Sequence, residues 1–482
     1  MKSTKYVILF YFLLFTFLYF FTLNFNYVEG DDASTILYHL CGRNSEIQTP
    51  YASYNSGLDF LIKMSNLQGE EALRTFAVSV SFISGFLVLS LLILFLDAFF
   101  EGSKIVNVKF KIYLYVLLPF IVPDIIFHSL IINSAYISFV FLLSSLTIFI
   151  KFLKTKQIKF LLMSTLLFAM AIPFRWTMLT ALPLYMGLAF YYNPIQVYSK
   201  STLLLFLKII IANLLGVFLA IVFIDVTGYS LLDIYDTIVS TTGYIANSER
   251  STLSLLATGS AFFTPAMLFL VFLAIFKILG LDKKQPKFGL STISLVLLSI
   301  SPFLIVGLFP SFKFLITLFP MMLVIMALGF DYLLHQKSLL VVFLILLIAP
   351  WFIGIQLDVK GTFSGPGFEL NTKKNVDSNE SLDNNPDKRI KIDKINFKFD
   401  SGFYLPMLEG PRPLYGYFYV LFADGWKNQI NLFTQEREKI FEFLVKNKNA
   451  VYIQDRKTAY FQCDLFRKGL TTQTNFIESH ND

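Results

Sequence analysis

Long apolar runs separated by short polar loops set the pattern of this chain. Tyr6 to Phe25 carries no charge, and similar runs recur near 76–96, 112–127, 134–150, 160–174, 177–192, 203–224, 261–280, 289–309, 314–334 and 338–356. A membrane span needs roughly 20 apolar residues, because a rise of about 1.5 Å per residue must cross a hydrocarbon core of about 30 Å. The pattern predicts an α-helical polytopic membrane protein with about eleven transmembrane helices, several of them broken by Pro123, Pro173, Pro302 and Pro320. The first run is too long and too aromatic for a signal segment and lacks a small-residue cleavage site, so it is expected to stay as a span.

Composition agrees. Hydrophobic residues make up 55% of the 482 and charged residues 15%, where soluble domains carry about 25% charged. The net charge of +7 then calls for no nucleic-acid partner, because lysine-rich loops on one side of a bilayer account for it. One set of loops holds Lys2, Lys5, Lys104, Lys109, Lys111, Lys151, Lys154, Lys156, Lys159, Lys200, Lys283, Lys284, Lys287 and Lys337. The opposite short loops hold Arg43, Lys63, Arg74, Arg175, Arg250 and Lys313. The asymmetry puts the N-terminus in the cytoplasm and, with an odd number of spans, the C-terminus outside.

Three outer segments are long enough to build a site. Residues 26–75 hold an acidic motif and two amphipathic helices, and residues 225–260 are rich in Thr, Ser and Gly. The tail forms the third. A multi-span domain over 1–357 is expected to lead through a polar linker, 358–393, into a small extracytoplasmic α/β domain, 394–482. In that domain Tyr415 to Phe422 and Ala450 to Ile453 read as strands, and Thr434 to Lys446 reads as a capped helix. Cys41 and Cys463 are too few for a metal cluster and are expected as two independent thiols.

The candidate chemistry starts at Asp31-Asp32, just beyond the first run. Acids at a membrane edge are costly, which makes them functional candidates. A helix cap explains one aspartate, less well two. The alternative is a general base, since a second carboxylate and a low-dielectric edge make a carboxylate hold its proton more tightly. His39 lies on nearly the same helical face as Asp32 but about 10 Å further along, too far for a direct hydrogen bond. It faces either substrate or the interface.

The order Asp31-Asp32-Ala33, Tyr38-His39, Pro50-Tyr51 and Gly69-Glu70-Glu71-Ala72-Leu73-Arg74, followed by a span from Phe76, resembles the first outer loop of membrane-embedded C-type glycosyltransferases. The resemblance is greatest to the protein-mannosyltransferase and aminoarabinose-transferase branch. There an acidic motif after span one supplies the catalytic carboxylate, and a Gly-x-x-x-x-Arg precedes span two. Pro310-Ser311-Phe312-Lys313-Phe314 through Pro320 is similar to that branch's segment entering a late span. The likeness in span order covers roughly residues 1–340. Asp32 stands where Glu is usual and Lys313 where Arg is usual, and Lys lacks the bidentate fork. The second acid usual between spans three and four is missing after Asn133; Asp124 is the nearest substitute.

The resemblance implies an inverting glycosyltransferase with Asp31 as base and Asp32 beside it, working in the lipid bilayer at its outer face. The donor would be a polyprenyl-phosphate-linked sugar, and the acceptor a lipid, glycan or protein. His39, Arg74, Arg175, Arg250 and Lys313 are the candidate substrate-binding residues, the cations holding the donor phosphate through charge-assisted hydrogen bonds. Snorkelling to lipid headgroups is the alternative use of such cations. No cofactor is expected, although Asp31 and Asp32 have the oxygen ligands to hold a divalent metal. The chain has no Gly-rich nucleotide loop and no H-x-x-x-H zinc spacing. A lipid-linked glycan flippase or transporter, or a glycan polymerase, are the rival readings. Neither inverted repeats nor many ionisable residues within the runs support transport.

Overall fold

The computed structural model describes residues 2–22, 56–66, 70–101, 108–129, 134–192, 200–227, 262–284 and 316–353. It also describes short stretches elsewhere, notably 27–28, 131–132, 356–357, 363–365, 368–370, 412–413 and single residues such as Tyr417. The fold is mostly helical. The helices are α1 (Lys2–Thr22), α2 (Ser56–Ser65), α3 (Glu70–Phe100), α4 (Val108–Ile121), α5 (Asp124–His128), α6 (Ser134–Thr155) and α7 (Ile158–Phe174). They continue with α8 (Leu182–Tyr192), α9 (Lys200–Val226), α10 (Pro265–Lys284), α11 (Phe319–Leu333) and α12 (Lys337–Phe352). A 3₁₀ turn, Trp176–Ala181, joins α7 to α8.

Four helical stretches among the described residues are long and apolar enough to cross a membrane: Ser79–Phe100, Ser134–Thr155, Leu203–Val226 and Ile316–Leu333. Within hydrocarbon a backbone must satisfy its own hydrogen bonds, which is why these apolar runs take the helical form. Shorter apolar helices accompany them at Thr4–Leu18, Lys111–Ile121, Ile158–Phe174, Pro265–Gly280 and Ser338–Phe352. The predicted run 289–309 lies outside the described residues. Several boundaries differ from the expected ones: the first run is helical over Lys2–Thr22, and of 177–192 only Leu182–Tyr192 is α-helix, after a 3₁₀ turn. The run 112–127 is interrupted after Ile121, where Pro123 cannot donate to the helical ladder and the short α5 restarts. The helix predicted from Phe76 begins at Glu70, so the motif residue Arg74 sits in its second turn.

Large apolar side chains fill the helix contacts, and small residues and hydroxyls add specific ones, as expected where apolar burial alone gives helices no reason to choose one another. α6 and α7 form a hairpin whose turn holds Lys156 at φ 58°. Their serines interlock, Ser145 Oγ bonding Ser164 O at 2.7 Å and Ser164 Oγ bonding Ser145 O at 3.0 Å, while Tyr185 of α8 joins Ser145 at 2.6 Å. α10 and α11 meet backbone to backbone. A Cβ on Gly329 would stand 1.9 Å from the Leu270 carbonyl oxygen, so only glycine fits there. At the same pair Lys277 Nζ meets Asp331 Oδ2 at 2.7 Å.

Burial separates centre from rim. The window Ile316–Leu333 is 83% buried inside the protein, whereas Leu203–Val226 is 28% buried and shows Leu207, Ile211, Leu214 and Phe218 outward. That exposed apolar face on α9 is the kind a lipid environment stabilises. At the other end of the bundle, Asp97 of α3 accepts from Thr4 of α1 (3.1 Å) and from Tyr115 of α4 (2.6 Å). Tyr11 Oη donates to the Tyr115 carbonyl at 2.5 Å.

The described residues also form two small sheets. Tyr27–Val28 (β1) pairs in parallel with Ile131–Ile132 (β2). Beyond α12, β3 (Gln356–Leu357), β4 (Phe363–Gly365), β5 (Phe368–Leu370) and β6 (Arg412–Pro413) form an antiparallel sheet in the order β5-β4-β3-β6. β4 and β5 thus occupy part of the predicted linker, because they fold back onto the strand that directly follows α12. Tyr417, within the expected strand 415–422, is helical instead, and it is buried with its ring 5.3 Å from that of Trp351. The expected helix 434–446 and strand 450–453, like Cys41 and Cys463, lie outside the described residues.

Candidate functional site

Polar side chains gather where α7 ends. Pro173 stands in the last turn of this helix, which stops at Phe174, and Arg175 takes an extended conformation (φ −160°, ψ 104°). The final carbonyls of a helix have no donor within it. Here the Arg175 N–H caps the Ala171 carbonyl at 3.2 Å, and serines from other helices add to these bonds. Ser138 of α6 donates to the Ala171 carbonyl at 2.6 Å, and Ser56 of α2 donates to the Pro173 carbonyl at 3.2 Å. Gly57 lets α2 lie flat on this end, since a Cβ there would already touch the Phe174 ring at 3.0 Å.

Arg175 is fully buried, and its Nη1 donates to Ser134 Oγ at 3.2 Å. Burying a guanidinium costs several kcal/mol unless the site supplies acceptors or anions, roughly the scale of other buried ions. An apolar hairpin that keeps such a group is therefore built around it. Asp124, 4% exposed, opens α5, and its Oδ2 accepts the Tyr136 hydroxyl at 2.7 Å. Ser134 and Tyr136 both belong to the first turn of α6. One helix start therefore holds the guanidinium through one residue and the carboxylate through another.

A second buried acid lies on the helix that packs on the end of α7. Asp59 of α2 is fully buried and forms an ion pair with Lys63 one turn later. Lys63 also donates to the Thr227 carbonyl at 3.4 Å and rides over the Tyr229 ring at 5.6 Å. Phe60 packs edge-on against Phe223 of α9 at 5.3 Å. α2 thus bridges the ends of α7 and α9 and carries its carboxylate inward.

The β1–β2 ladder ties the sequence motif to this cluster. Its register pairs Tyr27 with Ile131 and Val28 with Ile132. Val28 is three residues before Asp31, and Ile132 is two residues before Ser134. The chain leading into the acidic motif therefore runs beside the strand that joins α5 to α6, between Asp124 and Ser134.

Of the predicted site residues, Arg175 falls in this cluster, together with Asp124, the nearest substitute for the missing second acid. Arg74 lies on α3, with its side chain outside the described residues; Asp31, Asp32, His39, Arg250 and Lys313 lie outside them altogether. Asp59, Ser134 and Tyr136 were not legible as site residues. An Asp and a Lys four apart on a helix read as an exposed stabilising pair, and only the packing of α2 shows the carboxylate to be buried. Among the described residues no group of three His, Cys, Asp or Glu stands close enough to hold a metal ion.

Compared with known proteins, the chain matches no family model, no curated protein and no solved structure.

Proposed function

We propose that the chain is an integral-membrane glycosyltransferase of the GT-C type, moving a sugar from a polyprenyl-phosphate-linked donor to a lipid, glycan or protein acceptor. The β1–β2 ladder carries this reading. It pairs Val28, three residues before Asp31, with the strand that leads from Asp124 to Ser134, the partner of the buried Arg175, and a buried cation near an acidic segment is the charge pattern that such a transfer needs.

In the reaction an acceptor hydroxyl attacks the anomeric carbon from the face opposite the phosphate. The new C–O bond forms as the anomeric carbon–phosphate oxygen bond breaks, so the configuration inverts and polyprenyl phosphate leaves. Asp31 takes the hydroxyl proton, a role worth about 10²–10⁴ in rate. Asp32 orients the acceptor or raises the basicity of its neighbour. Arg175, with Arg74, Arg250 and Lys313, stabilises the charge that grows on the leaving phosphate. The site faces outward, with the N-terminus cytoplasmic and the tail outside.

A flippase of lipid-linked glycans is the second reading, favoured by one observation. Lys277 and Asp331 form an ion pair within the helix bundle, the kind of intramembrane charge that transporters use. The glycan and glycolipid profile of cells carrying Asp31→Asn separates the two. Loss of one glycosyl addition with the carrier lipid still translocated supports transfer; unmodified glycans with the carrier trapped on the inner leaflet support transport.

A further inference from the structure

Lysines crowd the tip of the α6–α7 hairpin, at the end of α7 away from α2. Lys154 is engaged there, its Nζ reaching the Ala98 carbonyl at 2.6 Å and Glu101 Oε2 at 3.1 Å. Lys151 and Lys159 are exposed and, among the described residues, form no ion pair. Both ammoniums instead lie over one ring, that of Phe160, at 4.6 Å and 5.2 Å from its centroid. They are therefore no further apart than those two distances together. Lys156 adds an exposed charge from the turn, at φ 58°, a backbone position that glycine or asparagine usually takes.

Lysines at the end of a span are expected from membrane orientation alone. Two of them sharing one ring without an acid call for more. An aromatic face attracts each cation weakly at an exposed site, while the cations repel one another. An anion bound by both removes that repulsion.

The helices also fix the depth of the tip. α7 and α9 run the same way, because α2 packs on the end of each, Gly57 against Phe174 and Phe60 against Phe223. They meet where a Cβ on Gly216 would stand 3.4 Å from the Thr165 carbonyl oxygen. Counting back from that contact, Lys159 lies about 9 Å and the exposed Lys208 about 12 Å toward the helix starts. Between those lysines and the contact, α7 exposes Leu162 and α9 exposes Ile211 and Leu214, with Ile158 and Leu207 beside the lysines themselves. Ammoniums at one height beside exposed apolar side chains mark the boundary between headgroups and acyl chains.

We infer that the hairpin tip holds the headgroup of an anionic phospholipid between Lys151 and Lys159, with its acyl chains on Ile158, Leu162 and Leu166. A lipid phosphate accepts only, which matches two ammoniums that only donate. A soluble anion would satisfy the charge and leave the exposed apolar side chains of α7 uncovered. The site lies at the opposite end of α7 from Arg175 and stands apart from the transfer reading.

The test uses the full chain in detergent micelles, titrated with phosphatidylglycerol or with phosphatidylcholine of the same acyl chains. Bound lipid is counted by native mass spectrometry. The parent should bind one phosphatidylglycerol ahead of any phosphatidylcholine. Lys151→Gln combined with Lys159→Gln should weaken phosphatidylglycerol binding about thirtyfold, each lysine near a lipid surface contributing roughly fivefold. Binding of phosphatidylcholine should not change. Lys151→Arg combined with Lys159→Arg should keep the parent's affinity. So should Lys5→Gln, which removes an exposed lysine at the same end of the bundle, next to the Thr4–Asp97 contact. Equal binding of the two lipids by the parent, or parent-like phosphatidylglycerol binding in the double glutamine variant, would overturn the inference. An equal loss in Lys5→Gln, or in the double arginine variant, would overturn it as well, the first by showing diffuse attraction to surface charge and the second by showing a need for lysine shape rather than charge.

Discussion

The hydroxyl of Tyr136 donates to Oδ2 of Asp124 at 2.7 Å, across twelve residues of chain and with both side chains buried. This bond fixes a carboxylate to the same helix start whose Ser134 holds Arg175. A buried carboxylate and a buried guanidinium are thereby oriented by a single turn of α6. Any movement of that turn is felt by both.

Tyr136→Phe should therefore cost about 1.5–3 kcal/mol, the range for a hydrogen bond to a charged group. Thermal unfolding of the purified protein checks this. A melting temperature equal to the parent's would mean that other groups hold Asp124 in place. Glycosyl transfer should fall together with stability, since the Arg175 contact shares the turn.

Arg175→Lys keeps the charge but loses the planar fork. Transfer should fall at least about tenfold, the equivalent of one lost charge-assisted hydrogen bond, with the folded protein recovered in normal yield. Full activity in this variant would remove Arg175 from the phosphate site.

Gly329→Ala tests the helix pair rather than the site. The added Cβ would stand 1.9 Å from the Leu270 carbonyl oxygen, so α10 and α11 must move apart. Overpacking typically costs about 1–3 kcal/mol, and a clash with backbone belongs at or above the top of that range. Reduced yield and a lowered melting temperature are expected; parent-like unfolding would show that the two helices adjust freely.

The Lys277–Asp331 pair distinguishes structure from transport. Removing one partner from a buried pair is destabilising by about 3–5 kcal/mol, whereas replacing both with apolar residues is often neutral. Lys277 is 23% exposed, so solvent lowers that figure here. Lys277→Met should be less stable than Lys277→Met combined with Asp331→Leu, and the double variant should keep its transfer activity. Loss of function in a stable double variant would favour the transport reading.

Much of this architecture was legible in the chain because hydrocarbon imposes one rule. Strongly apolar runs such as Leu203–Val226 have no option but helix in hydrocarbon, and the structure has a helix there. The breaks were partly legible as well, through Pro123 and Pro173. What pattern could not give was depth and pairing. Asp59 sits four residues from Lys63, which on an isolated helix means a solvated pair; its burial follows from Gly57 against Phe174 and Ser56 on the Pro173 carbonyl, contacts 117 residues distant in sequence. Arg175 stood out because a lone charge between apolar runs is conspicuous.

The most direct test of the transfer reading is a purified one. The protein in lipid nanodiscs is supplied with a polyprenyl-phosphate-linked sugar and membrane extract as acceptor source, and free polyprenyl phosphate is followed by mass spectrometry. The parent should release it with turnover, and Asp31→Asn should release it at least about a hundredfold more slowly while remaining folded and inserted. Parent-like release by Asp31→Asn would contradict the proposed base, and no release by the parent with any lipid-linked sugar would contradict the glycosyltransferase itself.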